Sequence, residues 1–229
     1  MFTKRKIIGM AGMLTLIGLA SVAGTAPSGA ATPQCGASCI GVFSYKFGTT
    51  SSPNFVETVR DGIAVAGQPT ELSPASGTNP AEDLMVPRAG PVSSFHAQGL
   101  VSDEINQDFA NETAIQLEYT PLGVRSGLCA ALADTAYQNE GLTLQPCSVG
   151  ARAVWVVDTQ DSSVPGFFAI VNGSSTDLSR PFAMIYYQNP AHRAAQIRVA
   201  HLRYSGPPNQ MPRTLPDEQL WGKAPGPLS

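Results

Sequence analysis

Ser126-Gly127-Leu128-Cys129, Gly141-Leu142-Thr143-Leu144-Gln145-Pro146-Cys147 and Ala153-Val154-Trp155-Val156-Val157 are three short strand-like runs close together in the chain. Each is too short and too rich in β-branched or apolar residues to read as a helix, and turn residues separate them. Two of the runs carry a cysteine. With Cys35 and Cys39 the chain holds four, an even number that reads as two disulfides in an oxidising compartment. Three pairings are possible, and locality favours Cys35–Cys39 and Cys129–Cys147. On the chain-entropy model the second would stabilise the fold by about 3 kcal/mol. A metal or redox centre is not expected, because Cys35-Gly-Ala-Ser-Cys39 has three intervening residues and no nearby histidine.

Working outward, the same texture continues on both sides. Gly41 to Thr50 alternates, Phe55 to Arg60 reads as a strand, and Asp61-Gly62 is a hairpin signal before Ile63-Ala64-Val65. Asp83-Leu84-Met85-Val86 and Ile115 to Tyr119 are further strands. Later candidates are Phe167 to Val171, Ala183 to Tyr187 and Gln196 to Leu202. One helix is expected between Phe95 and Thr113, where Leu100, Val101, Ile105 and Phe109 form an apolar stripe and Ser102 is placed to cap. Short strands at roughly ten-residue intervals with one helical insertion describe an all-β domain, a sandwich or a barrel.

The chain ends differ from this middle. Lys4, Arg5 and Lys6 precede an uncharged, mostly apolar run and the small residues Ser28 to Ala31, the pattern of a cleaved export signal over 1–31. Its removal takes away three bases and no acid, moving the net charge from -3 to -6. That balance weighs against nucleic acid as a partner. No other stretch could span a membrane, so the mature chain is expected outside the cell. Residues 32–40 carry the first two cysteines and 41–204 the domain. Prolines crowd 205–229, which reads as a tail or strap that docks by Trp221.

The cysteine-bearing runs and Trp155 resemble one repeat of a ricin-type β-trefoil lectin. In that family a Gly-x-Cys-Leu strand, a strand ending in the partner cysteine and a Gln-x-Trp follow one another. The resemblance implies a β-trefoil-like barrel, the Cys129–Cys147 pair and Trp155 as a core residue. Thr70 to Ala75 with Leu84 echoes an earlier copy. Ala183 to Asn189 with Gln196-Ile197-Arg198 echoes a later one. The 71 residues from Leu84 to Trp155 exceed a uniform repeat, and the expected helix is the natural insertion. The chain as a whole also resembles a group of exported actinobacterial proteins, which implies secretion and one domain but no particular chemistry.

The family's sugar site uses an Asp after the first cysteine, an aromatic before the second, and an Asn and a Gln. In the middle repeat Ala130 and Ala131 follow Cys129, Gln145 holds the aromatic position and Ala153 replaces the Gln, so the site is lost there. The third repeat offers Tyr186, Tyr187, Asn189, His192 and Gln196, with Asp177 the nearest upstream acid. Stacking rings beside hydroxyl partners suit a sugar. The expected partners are therefore glycans or cell-surface proteins, with no cofactor. Catalysis has no signature: His96, His192 and His201 lie at no metal-motif spacing, and no nucleophile motif selects a serine. A protein-interaction or inhibitor module and a hydrolase without a recognisable motif are the other readings. Asn111-Glu-Thr113 and Asn172-Gly-Ser174 fit the glycosylation pattern.

Overall fold

A computed structural model describes residues 39–49, 52–53, 55–160, 162, 164–187, 195–203 and 214–225. The export signal, Cys35 and its expected pairing, Asn189 and His192 lie outside the described residues. The elements used below are β1 (Cys39–Ser44), β2 (Phe55–Val59), β3 (Thr70–Pro74), β4 (Leu84–Met85), β5 (Ala89–Pro91), α1 (Val92–His96) and α2 (Asp103–Phe109). They continue with β6 (Thr113–Ile115), β7 (Glu118–Tyr119), β8 (Leu128–Ala131), β9 (Thr143–Pro146), β10 (Trp155–Asp158) and β11 (Phe167–Asn172). The last three are β12 (Phe182–Ile185), β13 (Arg198–His201) and β14 (Trp221–Pro225).

Three positions reveal the plan. Leu84 lies opposite Tyr119 on one side and Ile40 on the other. Trp155 lies opposite Asn172 and Ile115, and Trp221 opposite Ser44 and Phe168. The same register therefore occurs three times, and β1, β4–β5, β6–β7, β10, β11 and β14 each pair antiparallel with two of the others. Each third also carries a hairpin: β2–β3, β8–β9 and β12–β13. Within these, the Trp155 indole donates to Ala130 O at 2.8 Å and the Trp221 indole to Met184 O at 3.0 Å, which are matching places in the second and third hairpins.

Alternation sorts side chains into two apolar clusters. Val42, Leu117, Trp155, Ile170 and Trp221 face the main core. Phe43, Val154, Val156, Ala169 and Val171 point the other way, where Val92, Phe95, Val101, Ile105 and Phe109 of the helical segment cover them. Burial on both faces explains why these strands read as near-continuous apolar runs. Cys129 and Cys147 are bonded, with Cα atoms 4.9 Å apart, joining β8 to the end of β9.

Several sequence expectations change. The helix expected over 95–113 is two helices, because Gly99 at φ +69° breaks the first. Ser102 does cap the second, its hydroxyl accepting from Ile105 N at 3.1 Å. Both helices sit between β5 and β6, where they lengthen the first interval. Ile63-Ala64-Val65 is not a strand; β2 pairs with β3 across a longer loop, and Ile63 and Val65 are exposed. Asn172 is fully buried, its amide donating to Arg152 O and its carbonyl accepting from Ser174, so that motif is structural.

The largest difference concerns the segment after Ser205. Trp221 is fully buried in the main core, and β14 runs between β1 and β11 with Leu215 and Leu220 buried beside it. Gly222 lies opposite Phe43, where a Cβ would stand 2.3 Å from the ring; only glycine lets the strand approach so closely. The third counterpart of Leu84 and Trp155 is therefore Trp221, not Ile197, which lies in the main core next to β13.

Candidate functional site

Tyr186 and Tyr187 follow β12 and point in opposite directions, as consecutive extended residues must. Tyr186 is 1% exposed and its hydroxyl accepts from Ser44 Oγ at 2.6 Å. Burial pushes its pKa up, partly offset by that hydrogen bond. It packs edge-on against Trp221 and is not placed to touch a ligand, so Tyr186 drops out of the candidate residues and Tyr187 is the outward ring of the pair. Tyr187 is 51% exposed.

The surroundings of Tyr187 come from two thirds of the fold. The turn at Gln138 and Asn139, in the connection from β8 to β9, lies against β13. Asn139 N donates to Val199 O at 2.9 Å, and His201 N donates to Gln138 Oε1 at 3.1 Å. Asn139 adopts φ +69°, a conformation that asparagine tolerates better than most residues. Its Oδ1 accepts from Tyr187 Oη at 2.7 Å, which pins the ring by its polar end.

Arg198 holds the same turn through Nη1 to Asn139 O at 2.8 Å, and its Nη2 reaches Gln196 Oε1 at 3.0 Å. The Gln196 side chain lies over Gly141, so this expected residue orients Arg198 and does not line the groove itself. Gln138, Asn139, Tyr187, Arg198 and Arg203 line a shallow groove of about 560 Å³. A smaller recess of about 270 Å³ shares Gln138, Tyr187 and Arg203 with it and adds Arg180, Ala200 and His201.

The floor of this recess is held from below. The His201 ring stacks on Phe182 at 4.1 Å, and its Nδ1 faces the Arg180 carbonyl, an acceptor only, so Nδ1 carries the proton. Asp177 is held below the usual carboxylate range, chiefly by the Ser179 hydroxyl and then by backbone N–H groups of the same turn and by His201. Arg203 N donates to Gln219 Oε1 at 3.0 Å, and Gln219 Nε2 donates to His201 O at 3.1 Å. Gln219 is fully buried.

Sequence reading missed Gln138, Asn139, Arg180, Arg198, Arg203 and His201 as lining groups. No local pattern joins residue 138 to residue 203. Gln219-Leu220-Trp221 was a readable signal, since it has the Gln-x-Trp form that the middle repeat lacks. Among the described residues no group of three metal-ligating side chains occurs, and no helix is long and apolar enough to cross a membrane. His96 meets Asp103 at 2.7 Å at the exposed junction of the two helices, away from the groove.

No protein-family model and no curated protein matches the chain. Similar solved structures include a designed 3-fold symmetric protein, ThreeFoil, at 13% identity and TM-score 0.50, covering 81% of this chain and 96% of that one. A mosquitocidal holotoxin is 14% identical at TM-score 0.49, over 81% of this chain and 17% of its own. A proteinase inhibitor from Coprinopsis cinerea is 12% identical at TM-score 0.46, over 82% and 96%. With the three-times-repeated register, the likeness to ThreeFoil defines the class: the chain has a β-trefoil fold, mostly β-strand, with one disulfide described. At such identity the likeness concerns fold alone.

Proposed function

We propose that the chain is an exported, non-catalytic binding protein that holds a carbohydrate against Tyr187. The observation that carries this reading is a half-exposed aromatic ring, fixed at its hydroxyl by Asn139 and flanked by Gln138 and two arginines in one open groove. A sugar presents an apolar face that stacks on a ring and hydroxyls that need directional donors and acceptors. Fixing the ring before the ligand arrives reduces the entropy lost on binding. The groove is shallow, which suits the end or edge of a glycan more than a deeply enclosed small molecule.

A broad glycan array with insoluble polysaccharides alongside tests the reading. Tyr187→Ala should weaken binding by about tenfold, the loss of one stacking contact, with an unchanged circular dichroism spectrum. Wild-type binding no better than that of a denatured control, or full binding by folded Tyr187→Ala, contradicts it. The protein-interaction reading has an observation of its own: Ile63, Val65, Leu122 and Val124 are 48%, 55%, 40% and 66% exposed. They lie on two loops brought near each other by the Tyr119 hydroxyl, which donates to Gly62 O at 3.0 Å.

A further inference from the structure

We propose that the ligand of this groove is an acidic oligosaccharide, one whose sugar units carry carboxylate or sulfate groups. The inference rests on the carbohydrate reading above and adds the charge of the ligand to it. Arg180, Arg198 and Arg203 all line the groove or the recess joined to it, and among the described residues no carboxylate does. Among the described residues the cations held in ion pairs with Glu are Lys46, Arg60 and Arg125, and none of the three groove arginines is paired.

The partners that Arg198 does have, Asn139 O and Gln196 Oε1, are neutral acceptors. They orient the guanidinium without cancelling its charge. Two nearby acids, Asp177 and Glu218, are engaged with other groups. Asp177 Oδ1 accepts from Ser179 N, Ser179 Oγ and Arg180 N, and its Oδ2 stands 3.7 Å from His201 Nδ1. Glu218, which feels the charge of Arg203, holds Lys46 at 2.7 Å. Three guanidinium groups with no ion-pair partner among the described residues thus gather at one concave place on a chain of net charge -3. Such a place concentrates anions, and guanidinium is shaped to take carboxylate or sulfate through paired hydrogen bonds.

The neighbours select a sugar acid over other anions. Tyr187 supplies a stacking face, while Gln138 and Asn139 supply amide groups for hydroxyls. A nucleic acid could also stack on a ring beside arginines, but the acidic balance of the chain opposes a long polyanion. A short, sparsely charged glycan meets less of that repulsion.

The test is calorimetric titration of the purified secreted protein with trigalacturonate, with galactotriose as the same backbone without its charges, and with a short oligothymidylate. Trigalacturonate should bind about tenfold tighter than galactotriose at about 50 mM salt, and the advantage should shrink severalfold at about 500 mM. Arg180→Gln and Arg203→Gln should each cost trigalacturonate several times more affinity than galactotriose, whereas Tyr187→Ala should weaken both. A sulfated galactan trimer distinguishes sulfate from carboxylate within the same class. Equal affinity for charged and neutral trimers at low salt overturns the inference and leaves the carbohydrate reading standing. Tighter binding of the oligothymidylate than of either sugar acid overturns it in favour of nucleic acid. Absence of binding to all sugars overturns both.

Discussion

Replacing Trp221 with alanine should destabilise the protein by about 3–5 kcal/mol, the range for truncating a buried tryptophan. The side chain is fully buried in the main core, its indole donates to Met184 O at 3.0 Å, and its ring meets Tyr186 edge-on at 5.7 Å. Truncation removes all three at the meeting of β1, β11 and β14. Against a total stability of about 5–15 kcal/mol for an ordinary domain, that is a large share. Urea unfolding of Trp221→Ala beside Trp155→Ala measures it, because the two indoles occupy matching positions and should cost similar amounts. A loss below about 1 kcal/mol at Trp221 would mean that the C-terminal strand is a surface strap after all.

The second large effect belongs to Glu57. It occupies in the first hairpin the place held by Ala130 and Met184 in the others, opposite Leu72, and it is 1% exposed. Among the described residues neither carboxylate oxygen has a well-formed hydrogen bond. Burial raises its pKa to about 7, with the Thr70 hydroxyl beside it acting in the opposite direction. A carboxyl whose folded pKa lies above its unfolded value of 4.5 costs least when protonated in both states. Stability from this group is therefore fully present below pH 4.5 and is lost as pH rises to about 7, in all by about 3 kcal/mol. Glu57→Met, which copies the residue of the third hairpin, should remove that loss and stabilise the protein most at pH 8. Urea unfolding of both proteins from pH 4 to 8 isolates the effect, because carboxylates with lowered pKa, such as Asp177 and Glu218, contribute equally to both. A pH-independent difference between the two would contradict it.

How far the sequence disclosed this arrangement varied with the range of the interactions involved. The hairpin around Cys129 and Cys147 was legible because its signals are local: a cysteine on each strand, turn residues between, and Trp155 just beyond. The first and third repeats were harder. Leu84 stands where the others have tryptophan, and the way from β12 to Trp221 passes through a long stretch rich in proline. Proline content suggested a tail, yet a few residues able to extend between β1 and β11 were enough to make a core strand. The apolar stripe over 100–109 is a packing face, as its spacing implies, but Gly99 divides the helix because the chain turns there to lay two short segments across the outer side of the strands.

The candidate site shows the same division. That one of two consecutive tyrosines faces outward follows from strand geometry, and which one follows from register. Tyr186 faces inward because β12 pairs with β13 so that Met184 and Val199 share the core, placing the residue two positions after Met184 on the same side. The arginines could not be assembled from sequence. Arg180, Arg198 and Arg203 meet Gln138 and Asn139 only because the second third of the fold lays a turn against the third.

The most direct test of the central claim, that the ligand sits at Tyr187, is an NMR titration of the labelled protein with whichever glycan binds most tightly on the array. Shifts should be largest at Tyr187, Gln138, Asn139 and the arginines of the groove, and small at Tyr186 and at the loops carrying Ile63 and Val124. Shifts centred instead on those apolar loops, or on the middle hairpin around Gln145, would contradict the account and move the binding surface elsewhere on the trefoil.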